Sequence, residues 1–174
     1  LSSISGVKKT DSLIYRGRKS NEIMPNFVVE KIKNFFAKVR RHNLKNRKIA
    51  LLGLAFKGWP ETSDVRFSPS LEVTTLLQKE GAKVMGHDFL VSREEAEKNR
   101  ITFSSSIEEV VRGAAVCLLM TNHPGYQNPG WLKFLKKLDK PALFFDPWQL
   151  YNKSEIMKNP GVYYGNLGYD SAKN

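Results

Sequence analysis

Two runs, Ile49 to Phe56 and Ala114 to Met120, contain no charged or polar side chain. A strand with one face on water alternates apolar and polar residues, whereas a strand covered on both faces reads as a solid apolar run. Both are far shorter than the ~20 residues a bilayer span needs, so they read as buried strands. The spacing predicts strands at Ile49–Ala55, Lys83–His87, Ile101–Phe103, Ala115–Met120 and Ala142–Phe145, with a sixth at Val162–Tyr164. Helical stretches fall between them at Pro69–Glu80, Arg93–Lys98, Ile107–Arg112 and Trp131–Leu138. Alternating strands and helices imply a parallel sheet with right-handed crossovers. The expected class is α/β: an open, Rossmann-like parallel sheet of five or six strands with flanking helices, preceded by a long basic helix.

That preceding helix is read from Phe27, Val28, Ile32, Phe35, Phe36 and Val39, whose spacing is helical, with lysines and arginines between them. Pro25 reads as its first residue, His42–Asn43 as its end, and the residues before it, up to Arg18, as another helical piece weakened by Gly6 and Gly17. The net charge of +11 is concentrated here: Leu1 to Lys48 holds thirteen Lys/Arg against three acids, and the rest is near neutral. A basic helix can bind nucleic acid or an acidic membrane surface. No interleaved base-stacking pattern accompanies it, so a solvated helical face is the simpler account and nucleic acid is not the expected partner.

One cysteine, Cys117, excludes an internal disulfide framework and suits a reducing, cytoplasmic setting. His42, His87 and His123 are scattered without metal-ligand spacing. No signal peptide or membrane span is read. The chain starts at Leu1 without Met, which suggests a piece of something longer.

In open parallel sheets, ligands bind beyond the carboxyl ends of the strands. Lys57 stands just past the first strand and Arg66 lies in the same strand-to-helix loop. Ser68 is placed to cap the next helix and Pro69 to begin it, and helix N-termini favour anions. Two cations and a helix start converging on one rim would suit a phosphate or diphosphate; loop charges paired with Glu61 and Asp64 are the ordinary alternative. Gly53-x-x-x-x-Gly58 lacks the spacing of a dinucleotide fingerprint, and no Gly-Lys-Ser/Thr makes it a P-loop.

The stretch LLGLAFKGWPETSDVRFSPSLEV resembles the segment opening the C-terminal domain of the UDP-glucose/GDP-mannose dehydrogenase family, with its G-x-A-F-K and D-x-R-x-S-P elements. Upstream, LIYRGRKSNEIMPNFVVEKI is similar to the central helix of that family. Downstream, GAKVMGHD, AAVCLLMTNHPGYQ, PALFFDPWQL and YYGNLG resemble its later strands and its Y-x-G ending, in order. The resemblance divides the chain into residues 1–46, the end of a central dimerisation helix, and 47–174, a nucleotide-sugar-binding domain. It implies an NAD-dependent enzyme that oxidises the C6 alcohol of a UDP-sugar to a uronate. NAD would be held mainly by an N-terminal Rossmann domain, and a mid-chain cysteine would act as nucleophile. This sequence has neither G-x-G-x-x-G nor the G-x-C-x-x-K-D segment. It is therefore expected to be inactive alone, to work with the missing N-terminal half and to form a homodimer through its N-terminal helix, whose Phe27, Phe35 and Phe36 would be exposed.

Carried over residue by residue, the resemblance assigns Phe56 and Lys57 to substrate binding and Arg66 to the NAD side, with no catalytic residue and no metal ligand. The residues also allow Phe56 as the last core residue of its strand and Arg66 as the partner of Asp64. Cys117, within AVCLLM, reads as a buried, inert thiol. Many members carry D-G-R or D-x-R after the last core strand; here Asp146-Pro147-Trp148-Gln149 stands instead, so Trp148 either stacks on a ring or packs on Pro147. His123 matches a recurring histidine; bonding to nearby backbone is its default. AFKGWPETSD, with Gly-x-Pro after the lysine, leans toward UDP-N-acetylhexosamines. The rival classes are a nucleic-acid-binding module using the basic helix and a purely structural α/β domain.

Overall fold

The computed structural model describes residues 12–39 and 43–168. Six strands, β1 Lys48–Leu52, β2 Lys83–His87, β3 Thr102–Phe103, β4 Val116–Leu119, β5 Ala142–Phe145 and β6 Val162–Gly165, form one sheet in the order β3-β2-β1-β4-β5-β6. Every pairing is parallel. Between them lie α2 Pro69–Lys79, α3 Arg93–Lys98, α4 Ile107–Val111, α5 Pro124–Gln127, a 3-10 segment Pro129–Lys137 and α6 Lys153–Ile156, with α1 Leu13–Lys38 in front.

The solid apolar runs follow from this order. Ile49, Leu51, Val116, Leu118, Leu143 and Phe145 point into one core layer with Val73 and Leu77 of α2. Their neighbours Ala50, Leu52, Cys117, Leu119 and Phe144 point into the other, with Val110, Trp131, Leu135, Tyr151 and Ile156. Side chains alternate across a strand, so two covered faces require apolar residues at every position. Cys117 is fully buried, and that burial pushes its thiol well up from the ordinary range.

The N-terminal helix differs from the sequence reading in three ways. Pro25 does not open it; α1 runs unbroken from Leu13, with Pro25 in its interior. A proline there removes one helical bond, to the Asn21 carbonyl, and packing of the helix body offsets that loss. The helix ends at Lys38 rather than near His42–Asn43; His42 lies outside the described residues, as do Gly6 and the rest of 1–11. Phe35 and Phe36 are not exposed. They are buried with Val28, Val29 and Ile32 in the first core layer, Phe35 against Tyr163 at 5.5 Å and Phe36 edge-on to Phe35. Lys33 links α1 to the end of α2 through Glu80 at 3.1 Å. The helix spacing identified the apolar face, but only the fold shows that the α/β body covers it. Ile23 and Phe27 remain exposed on the other side.

Candidate functional site

The strand order reverses between β1 and β4, which makes their carboxyl ends the place where an open sheet presents ligands. Much of that crevice is filled by the chain itself. Gly53, at φ +96°, lies so close to the β4 end that a Cβ would meet Thr121 Oγ1 at 2.3 Å. A Cβ on Gly58 would sit 2.1 Å from the His123 nitrogen. The loop after β1 is thus pressed against the loop after β4, and only glycine permits either approach.

Asp88, at the end of β2, anchors the start of the β1 loop. One of its oxygens accepts N–H bonds from Leu54 and Ala55 at 2.7 and 3.1 Å, the other from Leu90 and Val91 at 2.8 and 3.1 Å. Where a dinucleotide fold turns the acid near this position toward a ribose, this carboxylate is spent on backbone. Further along, Phe56 N–H donates to the Asp64 carbonyl at 2.7 Å and closes the loop. Ser68 Oγ caps α2 by accepting from Ser70 N–H at 3.2 Å.

His123 ties these pieces together. Its Nδ1 accepts from Gly125 N–H at 2.9 Å, its ring stacks on Phe89 at 4.6 Å, and Nε2 stands 2.9 Å from Glu61 Oε1. That last contact is a close approach of the two groups without hydrogen-bond alignment. Beneath it, His87 Nδ1 lies 2.7 Å from the Tyr126 hydroxyl, which donates to the His87 carbonyl at 3.0 Å. Burial pulls the His87 imidazole down to about 4. Backbone contact was the default for His123; its further use as a clamp between loops depends on contacts the sequence does not display.

Above this scaffold lies a cleft of about 780 Å³, bounded by Glu22, Met24 and Pro25 of α1, by Phe56, Lys57 and Phe67 of the β1 loop, by Leu71 and Glu72 of α2, and by Trp148 after β5. Ser68 and Pro69 line it as well, so the N-terminus of α2 opens onto it. Lys57 is half-buried and has no hydrogen-bond or ion-pair partner among the described residues. Phe56 is exposed rather than the last residue of the core. Trp148 is 45 % exposed, and its indole N–H donates to the Met120 carbonyl at 2.9 Å. It does not simply pack on Pro147.

Arg66 is not part of this cleft. It lines a separate depression of about 380 Å³ with Ser92 and Glu95, so the expected convergence of Lys57 and Arg66 on one rim is corrected. The cause is local. Asp64 grips the guanidinium through Nε at 2.9 Å and Nη2 at 2.7 Å, and takes the Arg66 backbone N–H as well. These bonds hold the Asp64 carboxyl down at about 2. The next residue, Phe67, adopts φ +60°, a left-handed turn that separates Arg66 from Ser68. The guanidinium itself stays 80 % exposed.

Phe67, 95 % exposed, was missed from sequence. A hydrophobic residue just before an N-cap commonly packs on the fourth helical residue. That residue is the charged Glu72, so the partner is absent; this was the available signal. Met24 and Pro25 were missed because they reach the cleft from a helix 30 residues upstream. Among the described residues no group of three or more His, Cys, Asp or Glu could hold a metal ion, and no helix is long and apolar enough to cross a membrane.

Residues 50–153 match the model of the UDP-glucose/GDP-mannose dehydrogenase family, UDP binding domain. The UDP-N-acetyl-D-mannosamine dehydrogenase of Methanocaldococcus jannaschii is 32% identical over 120 residues, covering 69% of this chain and 25% of its own length. The UDP-glucose 6-dehydrogenase of Bacillus subtilis is 30% identical over 128 residues, covering 72% of this chain and 27% of its own. Among solved structures, the NDP-N-acetyl-D-galactosaminuronic acid dehydrogenase from Methanosarcina mazei superposes with a TM-score of 0.77 at 24% identity, over 99% of this chain and 34% of that one. The chain therefore spans about a quarter to a third of the length of these relatives.

Proposed function

Since the chain belongs to the UDP-glucose/GDP-mannose dehydrogenase family through its UDP binding domain, we propose that it is the nucleotide-sugar-binding part of an NAD-dependent 6-dehydrogenase. That enzyme would oxidise the C6 alcohol of a UDP-sugar to the uronate. The observation that carries this reading is the cleft itself: Lys57, without a hydrogen-bond or ion-pair partner among the described residues, stands at the carboxyl rim of the sheet with Phe56, Phe67 and Trp148 around it, while Glu22 and Glu72 also line the cleft. Such a cleft fits a ligand that is anionic at one end and ring-shaped at the other. Lys57 takes the diphosphate, and Phe56 packs against the nucleoside or sugar.

Arg66 faces the second depression and serves the NAD side. Its Asp64 clamp leaves the outer part of the guanidinium free for a pyrophosphate. On this reading the redox chemistry lies in a part of the enzyme outside this chain, which would bind NAD and supply the nucleophilic cysteine. Cys117 is sealed in the core and takes no part. The exposed Ile23 and Phe27 on α1 offer a homodimer contact in place of Phe35 and Phe36. For the sugar, we favour a UDP-N-acetylhexosamine, supported by the Gly-x-Pro loop after Lys57.

A ligand-observed NMR titration of the chain with UDP, GDP and a short DNA duplex, repeated on Lys57→Ala, tests the proposal. Millimolar UDP binding that vanishes in Lys57→Ala supports it. DNA binding that survives the substitution and falls steeply with salt, with no response to UDP, would replace it with a nucleic-acid-binding module.

A further inference from the structure

Trp148 is held in the cleft wall from two directions. Its indole N–H is committed to the Met120 carbonyl at the end of β4. Its backbone sits in a turn organised by buried Asp146, whose Oδ2 accepts from Tyr151 N–H at 3.1 Å while its carbonyl accepts from Gln149 N–H at 3.2 Å. Gln149 completes the turn at φ +54°. With its one polar group occupied, the indole offers the cleft only apolar aromatic surface; Met24, Pro25, Phe56 and Phe67 line the same cleft, as do Glu22 and Glu72. Lys57 is the cation in the same cleft.

Resting on the proposed nucleotide-sugar reading, we propose that Trp148 is the stacking platform for the nucleobase, with the diphosphate left to Lys57. A fixed aromatic face stacks any base because every base has a π face. Trp148 therefore supplies affinity for nucleotides as a class, not the choice between uracil and guanine. The D-P-W-Q turn left stacking on a ring and packing on Pro147 both open; the committed N–H favours the first, since it leaves the indole as a platform rather than a donor.

The test uses this chain, with UDP, GDP and inorganic pyrophosphate as probes, compared by NMR titration in wild type, Trp148→Ala and Trp148→Phe. The side chain is half out of the fold, so the circular dichroism of both variants should match wild type. Stacking on an aromatic side chain predicts that Trp148→Ala weakens UDP and GDP alike, by roughly 5- to 150-fold. Pyrophosphate affinity should not change, and Trp148→Phe should recover most of the loss. UDP should also quench tryptophan emission in wild type but not in Trp148→Phe, where Trp59 and Trp131 remain as background. Unchanged UDP affinity in Trp148→Ala, or pyrophosphate weakened as much as UDP, would overturn the assignment. UDP binding that needs Lys57 but not Trp148 sinks this inference alone, whereas a wild-type chain that binds no nucleotide sinks the proposed function with it.

Discussion

The inner face of α1 and the rim above the sheet carry the same kind of side chain and use it in opposite ways. Phe36 is 2 % exposed, packed edge-on to Phe35 inside the first core layer. Phe67 is 95 % exposed on a left-handed residue beside the cleft, where nothing of the chain covers it. Burying a ring contributes stability through the apolar area removed from water. Holding one in water on a backbone conformation that non-glycine residues avoid contributes none, and the backbone adds strain. On the proposed function, stability and binding are served by separate sets of aromatics, and substitutions should separate them.

The largest effect is expected at the core. Phe36→Ala should lose about 3–5 kcal/mol of unfolding free energy, read from urea denaturation. Nucleotide affinity per folded molecule should stay the same; a loss of affinity would mean that packing at Phe36 also positions Met24 and Pro25 in the cleft wall. Next comes pH. His87 is held at about 4 by burial, against about 6.5 for an unfolded chain. The unfolded state therefore binds more protons between those values. Its contribution is fully present above about pH 6.5, falls as the pH drops, and is exhausted near pH 4, a loss on the order of 3 kcal/mol. Urea midpoints across that window, with NMR titration of the His87 ring, check the sign.

Phe67→Gly should act in the reverse sense from Phe36→Ala. Relief of the left-handed strain, partly offset by the added freedom of glycine in the unfolded chain, should raise stability by about 1 kcal/mol, while UDP binding weakens. A destabilised Phe67→Gly would show that the ring packs on something after all and would break the contrast. Smallest of all is Asp64→Asn on the exposed loop, which should lower the urea midpoint at neutral pH only slightly, as expected for an exposed ion pair. The Asp64 carboxyl should titrate near 2 and return to about 3.9 in Arg66→Ala. Its depressed value places that contribution above the unfolded value of about 3.9, lost as the pH falls toward 2.

The fold was legible because its signals are local. β2, β5 and α3 lie where the residues placed them, and the other strands differ by a few residues at their ends. Ser68 and Pro69 start α2 as their chemistry requires. The short α5 and α6 were not seen, since four residues give no periodicity to read. Pro25 misled because proline is a good first helical residue, and nothing local reveals that packing will hold a helix together across it.

For the site, the sequence by itself determined the strand whose following loop carries Phe56 and Lys57, the capped helix after that loop, and the inertness of Cys117 inside an apolar run. Each depends on neighbours in the chain. Only the tertiary structure decided that Lys57 has no partner among the described residues while Arg66 is taken by Asp64 in another depression, and that Trp148 is fixed by a carbonyl 28 residues away. It also decided that α1 covers its own Phe35 and Phe36. Apolar periodicity says that a face will be buried, because removing it from water is favourable whatever covers it. Which group meets which across a cleft depends on directional contacts between distant residues, and those exist only once the chain has closed on itself.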